Sequence, residues 1–240
     1  DSFDFIVVGA GLSGSVVARE LAEVGKKVLV VERRPHIGGN MFDCHDNKGF
    51  LVQKYGPHTF HTKDENLFNY MKKFGDWVPY KLKCGACWDG NYTPTPFNFS
   101  TIDTFFSEKK ASDLKAELLS EFPGREFVTV VELFESRSSL VREYASFLFK
   151  EDYGPYTSKQ WGVPPEEIDI SILKRVPVRL SYKEGYFDDR FEVMPKVSFT
   201  DFFKNLLNHP NIELLLNTDV MGLLTLDSEL LVKNVGINKT

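Results

Sequence analysis

Phe5-Ile6-Val7-Val8-Gly9-Ala10-Gly11-Leu12-Ser13-Gly14, answered further on by Lys27-Val28-Leu29-Val30-Val31-Glu32, is the stretch on which the fold turns. Both apolar runs are continuous and rich in β-branched residues, which predicts two buried, neighbouring strands of a parallel sheet. Val17, Leu21 and Val24 recur between them at helical spacing and predict a helix buried along that stripe, with Gly25 where a C-terminal cap belongs. Strand, helix and strand make one right-handed βαβ unit. Gly9, Gly11 and Gly14 form GxGxxG at the strand-to-helix turn. The first permits the tight turn, the second lets a pyrophosphate reach the backbone, and the third lets the helix lie close on the strand. Phosphate then rests on the positive end of the helix. Glu32 ends the second strand about 20 residues later, where a carboxylate can accept from both hydroxyls of an adenosine ribose and would repel a 2'-phosphate. The bland alternative is a glycine-rich turn beside a solvated glutamate. The joint occurrence of strand, glycines, helix, strand and acid favours dinucleotide binding over it.

Outward from this unit, residues 38–62 mix Gly, Asn, Asp and His into short extended pieces and read as loop. Thr62 and Glu65 have the spacing of a capping box for a helix with the stripe Leu67, Met71 and Phe74, ended by Gly75. Residues 80–99 have strand and turn character around Asp89-Gly90-Asn91, with Pro94 and Pro96 expected to limit regular pairing. Helical spacing dominates 100–153, in segments near 101–109, 112–122, 129–136 and 138–151, and predicts a separate helical domain. Residues 173–194 alternate in the manner of strands. Phe202, Leu206 and Leu207 then mark a helix before a last apolar strand at 212–216. The strands at 5–8, 28–31 and 212–216 are too few to complete a doubly wound sheet and leave an apolar edge, so the chain reads as truncated.

A chain with 42% hydrophobic and 26% charged residues is ordinary globular protein, neither disordered nor fibrous. Its 21 Phe residues exceed the needs of a routine core, which suits either a Phe-rich interior or a pocket for flat ligands. A net charge of -5 gives no broad attraction for phosphate backbones, so nucleic acid is not expected as a partner. Cys44, Cys84 and Cys87 are too few and too odd for a disulfide framework. The CxxC at Cys84–Cys87 has neither a second pair for zinc nor a redox context, so no metal is expected. The longest apolar stretch near the start, Phe5 to Gly11, is far short of a membrane span, and no basic leader precedes it. A cytoplasmic chain without a membrane span is expected.

Arg33-Arg34-Pro35-His36-Ile37-Gly38-Gly39-Asn40 places a second glycine pair just after Glu32 and resembles the FAD-binding flavoprotein superfamily that includes amine oxidases. Spacing alone does not separate FAD from NAD. Further segments resemble UDP-galactopyranose mutases specifically. These are Tyr55-Gly56-Pro57-His58-Thr59-Phe60-His61-Thr62, Tyr156-Thr157-Ser158-Lys159-Gln160-Trp161-Gly162, Ile172-Leu173-Lys174-Arg175-Val176-Pro177-Val178-Arg179, and Tyr186-Phe187 with Met194-Pro195. They run in the family's order and spacing over essentially the whole chain, as its N-terminal two thirds or so.

The resemblance implies an α/β fold: a Rossmann-like FAD-binding domain with an inserted helical domain and an antiparallel β-sheet region. On this basis residues 1–79 are the first part of the FAD-binding domain, 80–99 a β connection and 100–162 a helical domain on the substrate side. Residues 163–198 are then a β-sheet region with a mobile arginine loop, and 199–240 a return to the FAD-binding domain. FAD is expected on Gly9, Gly11, Ser13, Gly14, Glu32, Arg33, Gly39, Asn40, His58, Thr59, His61 and Val220, with His61 near the reactive edge of the flavin. UDP-galactose or UDP-galactofuranose is expected on Tyr153, Tyr156, Thr157, Trp161, Arg175 and Tyr186. A flat ring suits uracil and a forked guanidinium suits a diphosphate. By residue type alone, His58 and His61 are more often structural, the aromatic cluster core, and Arg175 an ordinary surface arginine.

Arg175 and His61 are the expected catalytic residues, in a non-redox ring contraction in which N5 of reduced FAD attacks the anomeric carbon. One departure stands out: Leu82 occupies a position where the family commonly has a substrate-contacting asparagine. A homodimer is a candidate assembly that the sequence does not decide. Two rivals remain, a redox flavoenzyme of the amine oxidase type and a fragment that binds FAD or UDP without turnover.

Overall fold

The computed structural model describes residues 2–167, 169–174 and 177–224. Its chain divides into two compact units, Asp1–Tyr80 with Asp189–Thr240, and Lys81–Asp188. The first unit opens with β1 (Phe5–Val8), α1 (Leu12–Glu23) and β2 (Val28–Val31) and continues through β3 (Asp43–His45), β4 (Leu51–Gln53), β5 (Phe60–Thr62), α2 (Glu65–Met71) and β6 (Trp77–Pro79). The second unit contains β7 (Cys84–Trp88), β8 (Asn91–Thr95), α3 (Phe99–Phe105), α4 (Glu108–Glu121), β9 (Phe127–Thr129), α5 (Val130–Phe134), α6 (Ser139–Leu148), α7 (Gly154–Trp161), α8 (Ile170–Leu173) and β10 (Pro177–Arg179). The chain then returns to the first unit with β11 (Phe191–Pro195), α9 (Phe199–Leu207), β12 (Ile212–Leu215) and α10 (Val220–Leu224).

In the first unit β1, β2 and β12 form a parallel sheet with β2 in the middle, Val28 facing Phe5 on one side and Ile212 on the other. All four residues of β2 are buried, as their apolar run predicts. β1 departs from expectation. Phe5, Ile6 and Val8 are exposed, because β1 is the edge of this sheet and no strand among the described residues pairs with its outer side. Beside this sheet β11 runs antiparallel between β5 and β6, setting Glu192 opposite His61 and Met194 opposite Val78.

Helix α1 keeps only Leu21 of the predicted stripe, half-buried against the cluster of Ala10, Ala18, Val28, Val30 and Leu207. Ser15, Ala18 and Ala22 are buried while Val17 and Val24 are 51% and 71% exposed. The cause is Gly14. A Cβ there would stand 2.0 Å from the carbonyl oxygen of Gly9, so the helix lies on the strand too closely for anything but small side chains beneath it. On its flank Leu12 and Val16 pack against the buried Phe199, Phe202, Phe203 and Leu206 of α9. The Arg19 guanidinium fixes the two helices end to end by donating to the carbonyl of Asn208 at 3.1 Å and lying over the Phe74 ring. Gly25 ends α1 at φ +81° as expected, its N–H donating to Ala22 and that of Lys26 to Leu21.

Other local expectations resolve as chemistry requires. Thr62 ends β5, its Oγ1 accepting from the N–H of Asp64, and it is Asp64, in the β-region conformation of a cap, that caps α2 by accepting from the N–H groups of Asn66 and Leu67. Asp89 and Gly90, both at positive φ, make the β7–β8 turn. Pro94 does not disturb the pairing: it faces Gly85 in a two-stranded ribbon, where an edge strand can spare an N–H. Residues 173–194 are not a run of strands but the end of α8, β10, a loop and the start of β11. In the second unit α3 to α6 close over a core containing Phe97, Ile102, Leu114, Leu118, Leu133, Val141, Tyr144 and Leu148, with Val178 of β10 inserted from the edge. No helix among the described residues is long and apolar enough to cross a membrane.

The Gly9–Gly14 approach gives a sharp contrast. Gly14→Ala forces the helix off the strand and is expected to lower stability by about 3 kcal/mol or more. Gly11→Ala, whose Cβ would meet only the Gly39 Cα at 3.8 Å, is expected to stay within about 0.5 kcal/mol. Urea denaturation midpoints at unchanged m-value measure both, and equal stability of the two variants contradicts the packing argument.

Candidate dinucleotide and ligand sites

The turn from β1 into α1 leaves the helix N-terminus without a side-chain cap and without an acidic residue in its first turn. Its amides and its positive end are therefore available to an anion. Glu32, only 7% exposed, reaches back under this turn: one carboxylate oxygen accepts from the N–H of Ala10 at 2.9 Å and the other from the N–H of Arg34 at 2.8 Å. A carboxylate has about four acceptor positions. Two therefore remain for ligand hydroxyls.

The second glycine pair has a physical role here. The N–H of Gly38 donates to the carbonyl of Ala10 at 2.8 Å, and a Cβ on Gly39 would stand 3.0 Å from the Cα of Gly11. Gly38 and Gly39 both have positive φ, so this turn docks on the first glycine turn backbone to backbone. Between them opens a cleft of about 290 Å³ lined by Val8, Gly9, Val31, Glu32, Arg33, Arg34, Gly39, Asn40, Thr218, Asp219 and Val220. Of the expected cofactor residues, Gly9, Glu32, Arg33, Gly39, Asn40 and Val220 line this one cleft. Gly11 caps α1 and Ser13 lies exposed in its first turn beside the cleft.

Sequence reasoning missed the network behind the cleft. Arg34 lies over the Tyr55 ring at 4.5 Å and donates to Asn40 Oδ1 at 3.0 Å. His36 is stacked on Phe42 with Nδ1 against the carbonyl of Ile37, so its Nε2 is left to accept from the Tyr55 hydroxyl at 2.7 Å. Asp43, also buried, accepts from the amides of Phe199 and Thr200 at 2.8 Å each and fixes the start of α9. No periodicity or motif signals the contacts of Tyr55 with Arg34 and His36, or of Asp43 with Phe199 and Thr200, since each joins residues distant in sequence.

His58, Thr59 and His61 are not among the residues lining this cleft. His58 bonds through Nδ1 to the carbonyl of Gly56 and through its backbone to the Gln53 side chain, so it braces a loop. Thr59 is half-buried ahead of β5. His61 is exposed on β5, with Nδ1 2.6 Å from Asp189 Oδ2.

In the second unit the expected ligand residues split. Tyr153 is 3% exposed and packs edge-on against Phe97; Thr157 is buried on the same side of α7. Tyr156 and Trp161 are 60% and 57% exposed, apolar rings turned toward solvent. Tyr186 joins the tyrosines: burial raises its hydroxyl pKa, with further contributions from Cys84 and Tyr156. Burial likewise raises that of Tyr153, to which Tyr144, Asp152 and Tyr186 add. Tyr186 therefore lies within electrostatic reach of Tyr153 and Tyr156, and Tyr153 and Tyr186 are neutral hydroxyls, able to donate and accept at pH 7. Asp152, which the sequence reading overlooked, stands beside them with its carboxyl pKa raised by burial. It belongs to a π-helical turn, Phe149–Tyr153, that re-aims the chain between α6 and α7, and such turns are frequent at functional sites.

The loop bearing Tyr186 is anchored. Its N–H donates to the carbonyl of Leu82 at 2.9 Å, so Leu82 serves through its backbone. Arg179, 5% exposed, donates to Asp188 and to the carbonyl of Gly185, while Lys183 pairs with Asp188 at 2.8 Å. Arg175, the expected diphosphate clamp, lies outside the described residues. Cys84 and Cys87 are unpaired and stand three apart on β7, on opposite faces. Among the described residues no group of three metal-ligating side chains occurs.

Residues 7–74 match the family described as NAD(P)-binding Rossmann-like domain, and residues 151–234 match UDP-galactopyranose mutase. The chain is 37% identical to a probable UDP-galactopyranose mutase of Klebsiella pneumoniae, over 91% of its own length and 56% of that protein. It is 38% identical to the dTDP-fucopyranose mutase of Escherichia coli, over 87% of its own length and 55% of that protein. Among solved structures, that of a reduced UDP-galactopyranose mutase superposes with a TM-score of 0.59 at 18% identity, covering 89% of this chain and 49% of that one, a likeness of fold. The chain spans a little over half the length of the curated relatives it matches.

The Glu32 geometry is testable by itself. Glu32→Ala leaves the N–H of the fully buried Ala10 without a partner, and a loss of about 2–3 kcal/mol in denaturant unfolding is expected. A solvated glutamate would tolerate the change within about 0.5 kcal/mol.

Proposed function

Because the chain belongs to the UDP-galactopyranose mutase family, we propose that the protein it comes from interconverts UDP-galactopyranose and UDP-galactofuranose with FAD in its reduced form. The observation that carries this reading is the convergence of Gly9, Glu32, Arg33, Gly39, Asn40 and Val220 on one cleft at the α1 N-terminus. The cleft fits the adenosine end of a dinucleotide. Ribose hydroxyls would find the two remaining acceptor positions of Glu32, and pyrophosphate would find the α1 amides, where the close Gly11–Gly39 contact leaves bare backbone. When bound and reduced, the flavin would supply a nucleophilic nitrogen for the anomeric carbon of the sugar.

The remaining work falls to this chain's own residues. Tyr156 and Trp161 offer exposed rings for stacking on a nucleobase and a sugar face. Tyr153 and Tyr186 offer neutral hydroxyls, and Arg175 a forked cation for the diphosphate in a protein of net negative charge. A dTDP-sugar substrate is the second reading, favoured by the 38% identity to a dTDP-fucopyranose mutase.

The test is a flavin absorbance spectrum of the full-length protein with and without dithionite, followed by turnover of UDP-galactose and dTDP-fucose. A flavin spectrum bleached by dithionite is expected, with furanose formed only by the reduced enzyme and no stoichiometric reductant consumed. Equal turnover by the oxidised enzyme, or net oxidation of an amine, overturns the mutase reading; exclusive turnover of dTDP-fucose replaces the substrate.

Arg175→Ala is expected to cut kcat/KM by the equivalent of about 2–5 kcal/mol, with Arg175→Lys rescuing only partly because an ammonium lacks the two-bond fork. Wild-type kinetics and unchanged UDP affinity in Arg175→Ala would remove Arg175 from the site.

A further inference from the structure

His61 has its ring held by a carboxylate. β11 runs antiparallel to β5, with Glu192 opposite His61 and Phe191 opposite Thr62. Asp189 lies just ahead of that pairing, and its Oδ2 stands 2.6 Å from His61 Nδ1. A contact this short is in the charge-assisted range. Lys63 Nζ is 3.9 Å from the other oxygen, Oδ1, so the carboxylate has a cation on one side and the imidazole on the other. Glu192, although it faces His61 on the ladder and is buried, makes no hydrogen bond through either carboxylate oxygen and so does not orient the ring. The pair is half sheltered, with the His61 side chain 36% and the Asp189 side chain 20% exposed.

We propose that Asp189 is a positioning residue that fixes the tautomer of His61, holding the hydrogen on Nδ1 so that Nε2 is the acceptor the ring presents to an N–H or O–H donor of the bound ligand. An ionised carboxylate only accepts, so the ring nitrogen facing it must donate. The other nitrogen of the neutral ring is then an acceptor, since the partner of one nitrogen sets the role of the other. A surface ion pair would be worth little in stability. The value of Asp189 lies in chemical identity: with the other tautomer, the same ring would meet the same donor with a second donor. The proposal rests on the mutase reading only in placing His61 at the ligand.

Long-range ¹H–¹⁵N correlation spectra of the ¹⁵N-labelled full-length protein, at a pH where the ring is neutral, read the tautomer directly. Five histidines contribute, and His61→Gln identifies the signal that belongs to His61. His36 and His58, whose Nδ1 atoms face carbonyls, serve as internal standards for the Nδ1–H pattern. Wild type is expected to show His61 with a protonated Nδ1 and a pyridine-type Nε2. Asp189→Ala is expected to cut the population of that tautomer by more than half with the other histidine signals unmoved, while Asp189→Asn, whose Oδ1 still accepts, retains it.

An Nε2–H tautomer in wild type overturns the proposal, as does an unchanged tautomer in Asp189→Ala. The wild-type spectrum decides even if the alanine variant does not fold. Absence of furanose formation with the tautomer as expected would sink the mutase reading and leave this assignment standing.

Discussion

A buried carboxylate pulling on two amides holds the dinucleotide end of this molecule together. Glu32 bonds the N–H of Ala10 inside the glycine turn and the N–H of Arg34 in the segment leading to the second glycine pair. With these bonds in place, Gly38 can reach the carbonyl of Ala10, and Gly39 can lie against Gly11. The cleft is what remains between two turns that approach as closely as bare backbone allows, and a side chain on Gly39 or Gly14 would close it or lift the helix away.

That architecture was legible in the sequence wherever a local rule suffices. The strand-glycine-helix-strand-acid order, the Gly25 stop and the Asp89-Gly90 turn each follow from the conformational needs of a few consecutive residues. The reading failed where tertiary packing overrules a local pattern. Val17 and Val24 fit the spacing of a buried stripe, yet the close approach at Gly14 leaves room only for Ser15, Ala18 and Ala22 beneath α1. Thr62 fits a cap, yet it is drawn into pairing with Phe191, so Asp64 takes the role. The second glycine pair could be carried only by resemblance, because its partner, the first glycine turn, lies more than twenty residues earlier in the chain.

The ligand residues of the second unit were legible as residue types and not as an arrangement. Helical spacing puts Tyr153 and Thr157 on one face of α7, which follows directly on the π-helical turn at Phe149–Tyr153 and runs unbroken to Trp161. Tyr153 and Thr157 therefore go into the interior, and Tyr156 and Trp161 stay at the surface. Nothing in the composition of Phe149-Lys150-Glu151-Asp152-Tyr153 announces such a turn. It lies between α6 and α7 and carries Asp152, whose burial beside Tyr153 gives the site a carboxyl that no motif contained.

Asp188 and Asp189 show how finely function can divide along a chain. Two identical side chains at consecutive positions serve different units: Asp188 accepts from Arg179 and Lys183 and closes the loop that carries Tyr186, while Asp189 takes His61 of β5 and Lys63 just after it. Burial lifts the carboxyl pKa of Asp188, but its bonds to Lys183 and Arg179 outweigh that and hold it below the ordinary range. That carboxylate is committed to structure, as an acceptor for cations that would otherwise be left half-buried. The partner of Asp189 is an imidazole, the one side chain whose donor and acceptor atoms can exchange places without loss of charge or shape. A carboxylate opposite arginine or lysine can only stabilise, whereas one opposite histidine also chooses which atom the ring offers to its surroundings. The sequence Asp-Asp presents the two residues as equivalent, and the identity of the group each one meets makes the first a brace and the second a determinant of hydrogen-bonding chemistry.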